Sequence, residues 1–132
     1  MTPVAEVAYR LLDLAKADRD AFLWLVQGKG LRAATVFFSA QQAIEKALKA
    51  VMTAKGLVPG RTHNLLALAA ELNAAEIATP FTPDELAILN PYAVTFRYDD
   101  EDLSLVTPEQ TRAMVDKVLD WATKTIVDAE AG

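Results

Sequence analysis

The stretch SAQQAIEKALKAVMTAKG, residues 39–56, decides the fold of this chain. Apolar residues recur through it every three or four positions until Gly56, as they do along one face of an amphipathic helix. The helix that this pattern predicts also carries polar side chains whose purpose the stretch itself does not explain. They are Gln42, Glu45, Lys46 and Lys49.

Further helical patterns lie on both sides of this stretch. Apolar residues with helical spacing begin at Val4 and stop before Gly28, which predicts a first long helix. After the loop GLVPGRT, residues 56–62, the segment HNLLALAAEL begins a shorter helix. The two long helices are expected to pack antiparallel, because only a short connection separates them.

Two more helix starts share a clear signature. At Thr82 and again at Thr107, a threonine N-cap is followed by proline and then by Glu or Gln three residues after the cap. No window shows the sustained alternation of a half-buried strand. The sequence therefore predicts an all-α fold, an up-and-down bundle of four to five helices in a single domain over residues 1–132.

Composition excludes several classes of active site. The 132 residues include no cysteine, so the chain has no disulfide, thiolate zinc site or cysteine nucleophile, and a lone histidine, His63, excludes a multi-histidine metal site in one chain. We expect no metal and no cofactor. No apolar run approaches the roughly 18 residues of a membrane span, and Glu6 stands where a signal peptide needs a basic start. These features favour a cytoplasmic protein that does not contact a membrane.

Charge is distributed unevenly along an acidic chain. The net charge is −5, yet residues 29–61 contain six basic residues and one acidic residue, whereas residues 83–132 contain eleven acidic and four basic residues. The basic segment can form a local anion site, although the whole molecule repels nucleic acid at long range.

The polar residues of the opening stretch have two interpretations. On a helical wheel they share one arc opposite the apolar stripe. In the first interpretation this arc is a solvated face, with Glu45 and Lys49 forming an ordinary i,i+4 ion pair. In the second, the arc lines a site for a charged ligand. Spacing alone does not decide between them.

A family resemblance favours the second interpretation. The segment AQQAIEKALKAVMTAKGLVPGRTHNLLALAAEL, residues 40–72, resembles the core of the HEPN domain, with its Gln-Ala-x-Glu-Lys-x-x-Lys pattern and its later Thr-His step. The segment YAVTFRYDD, residues 92–100, is similar to the Tyr-to-Arg-Tyr segment of the same family. The resemblance extends over roughly residues 5–128 and carries several separate motifs in the family order.

This resemblance implies a helical bundle, frequent homodimers, and binding of a nucleotide or RNA. Many small members of the family act as partners of a minimal nucleotidyltransferase, in pairs that resemble toxin–antitoxin systems. The positions that match the family motifs are the expected binding residues. They are Gln42, Glu45, Lys46, Lys49, Arg61, His63, Arg97 and Tyr98.

The sequence also departs from the ribonucleases of this family. The members that cleave RNA resemble one another in having an Arg separated from a His by four to six residues. This pair is thought to cleave RNA across a dimer. An Arg with that spacing to His63 would stand at one of three positions, which are occupied here by Gly56, Leu57 and Val58. No histidine follows Arg97. We therefore expect a non-catalytic binding module. A ribonuclease toxin with a site assembled across the dimer, and a helical protein-interaction module without ligand, are the alternatives.

Two expectations concern the geometry of such a site. The loop that enters a helix at Thr62 or His63 should present free backbone N–H groups and the positive end of the helix dipole to an anion. Lys46, Lys49, Arg61, Arg97 and His63 should border one cleft, with Glu45 holding one of these basic side chains in place. Trp24 and Trp121 are expected in the core or at an interface.

Overall fold

A computed structural model of the chain describes residues 2–28, 33–90 and 107–132. These ranges contain five helices and no strand, which confirms the all-α bundle predicted from the sequence. In chain order the helices are α1 (Pro3–Val26), α2 (Ala33–Ala54), α3 (Leu65–Ala74), α4 (Pro83–Leu89) and α5 (Pro108–Ala131).

Local sequence explains where α4 and α5 begin. The hydroxyl groups of Thr82 and Thr107 accept hydrogen bonds from the backbone N–H groups of Glu85 and Gln110, at 3.2 and 3.1 Å. In return the Glu85 and Gln110 side chains accept from the N–H groups of the two caps, at 2.9 and 3.1 Å. Both helices therefore start with a complete capping box, as the sequence predicted, and each cap stabilises by about 1 kcal/mol.

The helix α2 lies between α1 and α5, and its alanines allow close packing. Four alanines spaced along α2 are fully buried, and small side chains let neighbouring helices approach. Lys46 of α2 reaches Asp18 of α1 at 2.6 Å, and the rings of Phe37 and Phe22 lie 5.8 Å apart. Since residue numbers rise on one helix as they fall on the other, α1 and α2 are antiparallel, as expected. The buried alanines are Ala40, Ala43, Ala47 and Ala50.

The last helix, α5, packs antiparallel to α1. Arg19 of α1 forms an ion pair with Asp116, and this hydrogen bond raises the pKa of the Arg19 guanidinium further. Near the opposite end, the Glu130 carboxylate accepts a hydrogen bond from Tyr9 and raises the pKa of that phenol. These two contacts join α1 to α5 at two points along their length.

The short helix α4 is linked to α5 by Glu85. Its carboxylate accepts from the Thr82 backbone and lies 3.2 Å from the Lys117 ammonium group, and these contacts lower the pKa of Glu85. A lowered pKa means that the folded state favours the ionised carboxylate. This contribution to stability is therefore present at neutral pH and is lost as the pH falls through the folded-state pKa.

Some apolar residues of the helical stripe on α1 are exposed. Val4 and Val7 of α1 are 48% and 45% exposed, because α1 buries the row that includes Ala8 and Leu12 against its neighbours. Trp24 lies on the outer side of α1 and is 76% exposed, while Trp121 is half-buried. Helical spacing identified the correct elements but overestimated the width of the buried face.

We expect Glu76→Gly to raise the free energy of unfolding by about 1 kcal/mol. Glu76 follows the C-terminal end of α3 with φ +60°, a left-handed conformation that glycine adopts without steric conflict. Urea denaturation monitored by circular dichroism measures the change. The control is Glu71→Gly inside α3, which should destabilise. A decrease in stability for Glu76→Gly would contradict the assignment of backbone strain to this residue.

Candidate functional site at the junction of α2 and α3

The candidate site is centred on Glu45, a buried carboxylate of α2. Glu45 is only 3% exposed, although the helical wheel places it on the polar arc. One carboxylate oxygen lies 3.0 Å from the Lys49 ammonium group, and the other lies 3.0 Å from Nδ1 of His63. A buried carboxylate is unfavourable unless it is paired and hydrogen-bonded, and these two partners meet that requirement.

Two glutamines connect this carboxylate to the loop before α3. Gln41 is fully buried, and its Nε2 donates to the backbone carbonyl of His63 at 3.0 Å. Its side-chain oxygen accepts from Nε2 of Gln42 at 2.7 Å. Both amides also approach Glu45 at 3.5 Å, the long limit of a hydrogen bond. Sequence reasoning did not single out Gln41; its only signal was a second polar residue beside Gln42 in an apolar pattern.

The histidine ring is held at one nitrogen and exposed at the other. Because an ionised carboxylate only accepts hydrogen bonds, Nδ1 of His63 carries the hydrogen that Glu45 receives. The side chain is 68% exposed, and Nε2 has no hydrogen-bond partner among the described residues. This nitrogen can therefore accept a hydrogen bond from a ligand when the ring is neutral and donate one when the ring is protonated.

The start of α3 does not offer free N–H groups, contrary to expectation. Asn64 is the N-cap, and its side-chain oxygen accepts from the backbone N–H groups of Leu66 and Ala67 at 2.9 and 3.3 Å. The N–H group of Leu65 donates to the side chain of Asn90 at 2.7 Å. The first N–H groups of α3 are thus satisfied internally, and a ligand at this junction must be bound by side chains.

The two lysines of the family pattern point to different neighbours. Lys49 is directed towards Glu45 and His63, whereas Lys46 pairs with Asp18 on α1. Both ammonium groups already have a carboxylate partner, so each contributes less positive potential than an unpaired lysine would. Nevertheless, each ammonium group has three donors and can contact a ligand without breaking its ion pair.

The remaining expected residues are placed only in part. Arg61 is exposed in the loop before α3, two residues from His63, and makes no ion pair with any residue of the described ranges. Arg97 and Tyr98 lie outside the described residues. The structure therefore brings Gln42, Glu45, Lys49 and His63 together and directs Lys46 towards α1. Their role in binding stays a prediction.

The described residues of this site form two lysine–carboxylate pairs and offer no metal site. Lys46 is paired with Asp18 and Lys49 with Glu45, and Arg61 has no ion pair among the described residues. Protonation of His63 adds one more positive charge. Nowhere in the described ranges do three His, Asp or Glu side chains gather as a metal ion would require. The arrangement is suited to an anion or to proton exchange at the His63 ring.

Comparison with known proteins identifies a family for this chain. The model of the HEPN domain family matches residues 8–126, which include every residue of the candidate site. No curated protein and no solved structure matches the chain. None of the helices in the described ranges combines the length and the apolar character needed to cross a membrane.

Proposed function

Because the chain belongs to the HEPN domain family, we propose that it is a non-catalytic module that binds a nucleotide or RNA at the α2–α3 junction. The observation that carries this proposal is the pairing of Lys49 and His63 with buried Glu45. It holds an ammonium group and an imidazole in fixed positions, and the exposed Arg61 lies two residues before His63 in the sequence. Fixed donors lose less side-chain entropy when they bind a ligand than mobile ones do.

A phosphate group matches these donors chemically. The guanidinium of Arg61 can make two parallel hydrogen bonds to phosphate oxygens, while the Lys49 ammonium group and protonated His63 add charge-assisted bonds. The chain as a whole carries −5, so attraction must come from this local surface. A mononucleotide or a short single-stranded RNA meets less repulsion from the rest of the chain than a long duplex.

The direct test is titration with a nucleotide mixture and with a short RNA oligonucleotide. Binding to either should weaken as salt is added, because the contacts are electrostatic. Lys49→Ala should also weaken it, since this variant removes a donor and leaves Glu45 with a negative charge beside the ligand. No binding of either probe at low salt would contradict the proposal.

Partnership with a minimal nucleotidyltransferase is part of the same proposal. It rests on the family resemblance, in which small members pair with such enzymes in toxin–antitoxin-like systems. If the neighbouring gene encodes a nucleotidyltransferase, the two proteins should copurify after coexpression as a complex of defined mass. A neighbouring nucleotidyltransferase that fails to form this complex would contradict the partnership.

We expect purified protein to form a homodimer of about twice its 14.3 kDa mass. Val4, Val7 and Leu14 are roughly half exposed and recur with helical spacing on α1, so they present apolar surface that a second copy can cover. Light scattering at tens of micromolar protein measures the mass. Leu14→Asp should shift the population towards monomer, and a monomer mass for the unmodified chain would contradict the expectation.

The alternative function, a ribonuclease toxin, leads to an opposite result in a cleavage assay. We expect no RNA cleavage that depends on His63, because the Arg-to-His spacing is missing and Nδ1 of the ring is engaged by Glu45. Purified protein and its His63→Ala variant should leave a labelled RNA equally intact. Rapid cleavage that is lost in His63→Ala would favour the toxin.

A further inference from the structure

A separate groove lies between the C-terminal end of α2, the segment that follows α3, and α5. Its volume is about 680 Å³, and it shares no residue with the cluster around Glu45. Leu57, Ile77 and Trp121 give it an apolar floor, and all three side chains are half-buried. Partial exposure leaves apolar surface at this floor that a binding partner can cover.

The tryptophan in this groove is fixed before anything binds. Nε1 of Trp121 donates to the backbone carbonyl of Ala78 at 3.0 Å. The ring packs edge-to-face on Phe81, with the centroids 5.8 Å apart and the planes at 84°. A large aromatic side chain held from two sides offers contact area at little entropic cost, as anchors of protein interfaces do.

Four charged side chains surround the apolar floor, and none of them is paired with an opposite charge among the described residues. Lys55 and Lys124 are positive, Glu76 and Asp128 are negative, and all four are exposed. None forms an ion pair with a described residue, whereas Lys117, also on α5, pairs with Glu85. Two charges of each sign are therefore available to a partner that carries both.

Glu76 contributes a carboxylate to this rim at the end of α3, where the N–H group of Ile77 donates to the Leu72 carbonyl at 3.0 Å, as in an ordinary helix C-cap. Its φ of +60° is a strained conformation in which glycine is the favoured residue. Retaining a glutamate there lowers stability and places a carboxylate at the groove.

The shape of the groove selects the class of occupant. No described lining residue is fully buried, so a small molecule would remain largely in solvent, whereas most small-molecule sites enclose their ligand. A peptide segment can lie across such a groove and bury one side chain. We propose that this groove docks a segment of another protein, with a large apolar side chain against Trp121 and one acidic and one basic side chain at the rim.

The test uses a display library of random short peptides selected on the purified full chain. Enriched sequences should share one large apolar residue flanked by an acidic and a basic residue. Lys124→Glu should weaken a selected peptide by about tenfold, while the control Lys16→Glu, an exposed charge reversal on α1, should leave its affinity unchanged. Changing the acidic residue of the peptide to lysine should restore binding to Lys124→Glu.

Several results would overturn the proposal. They are the absence of enriched peptides, enriched peptides without an apolar residue, and equal affinity for the unmodified chain and Lys124→Glu. Because Lys124 is exposed, its reversal should leave the circular dichroism spectrum unchanged, which separates lost binding from lost folding. Nucleotide binding at the α2–α3 junction is measured independently, so either proposal can fail without the other.

Discussion

Glu45→Ala is expected to lower the free energy of unfolding by about 3 kcal/mol. The substitution removes the acceptor shared by Lys49 and His63 and leaves a cavity where a buried side chain stood. It also leaves the Lys49 ammonium group, whose side chain is only 18% exposed, without its carboxylate. Urea denaturation of both proteins gives the difference directly.

Two control variants identify the cause of this loss. Glu71→Ala removes an exposed carboxylate of α3 that has no ion pair with a described residue, and should change stability by less than about 0.5 kcal/mol. Glu45→Gln keeps the shape of the side chain and removes its charge, so it should cost less than Glu45→Ala. If Glu45→Ala were as mild as Glu71→Ala, the cluster would not hold α2 and α3 together.

Arg61→Glu is expected to weaken nucleotide binding by about tenfold to a hundredfold. The reversal removes a two-pronged phosphate donor and places a negative charge where the phosphate would lie. Because Arg61 is exposed and has no ion-pair partner among the described residues, the change should not disturb folding. Calorimetric titration at low salt measures the affinity.

The matched control is Lys16→Glu, which makes the same charge change on the exposed surface of α1, away from Val4, Val7 and Leu14. It alters the net charge equally but lies outside the candidate site. A comparable loss in both variants would mean that binding follows net charge, and an unchanged affinity in Arg61→Glu would remove Arg61 from the site.

Most of the fold was visible in the sequence because its determinants are local. Threonine, proline and an acid or amide within four residues predicted both capping boxes, and helical spacing predicted α1 and α2. The sequence did not show how wide the buried face of each helix is. It depends on which neighbours cover a helix: Val4 and Val7 belong to the apolar stripe of α1 but lie outside the core.

The candidate site was only partly predictable for a related reason. The Glu45–Lys49 pair follows from i,i+4 spacing, but the burial of Glu45 results from the loop before α3, which no helical wheel contains. The Leu65 N–H group is satisfied by Asn90, which is 25 residues away in the sequence. Because such contacts satisfy the first N–H groups of α3, the candidate site consists of side chains and not of the helix terminus that was expected.

Nuclear magnetic resonance can test most directly whether nucleotides bind at the α2–α3 junction. Isotope-labelled protein is titrated with a mixture of ribonucleoside triphosphates at low salt, and backbone amide and His63 ring signals are followed. An anion site at the α2–α3 junction should give the largest shifts at Lys46–Lys49 and Arg61–Asn64, together with movement of the His63 Nε2 signal. Shifts confined to the groove beside Trp121, or none anywhere, would contradict an anion site at the α2–α3 junction.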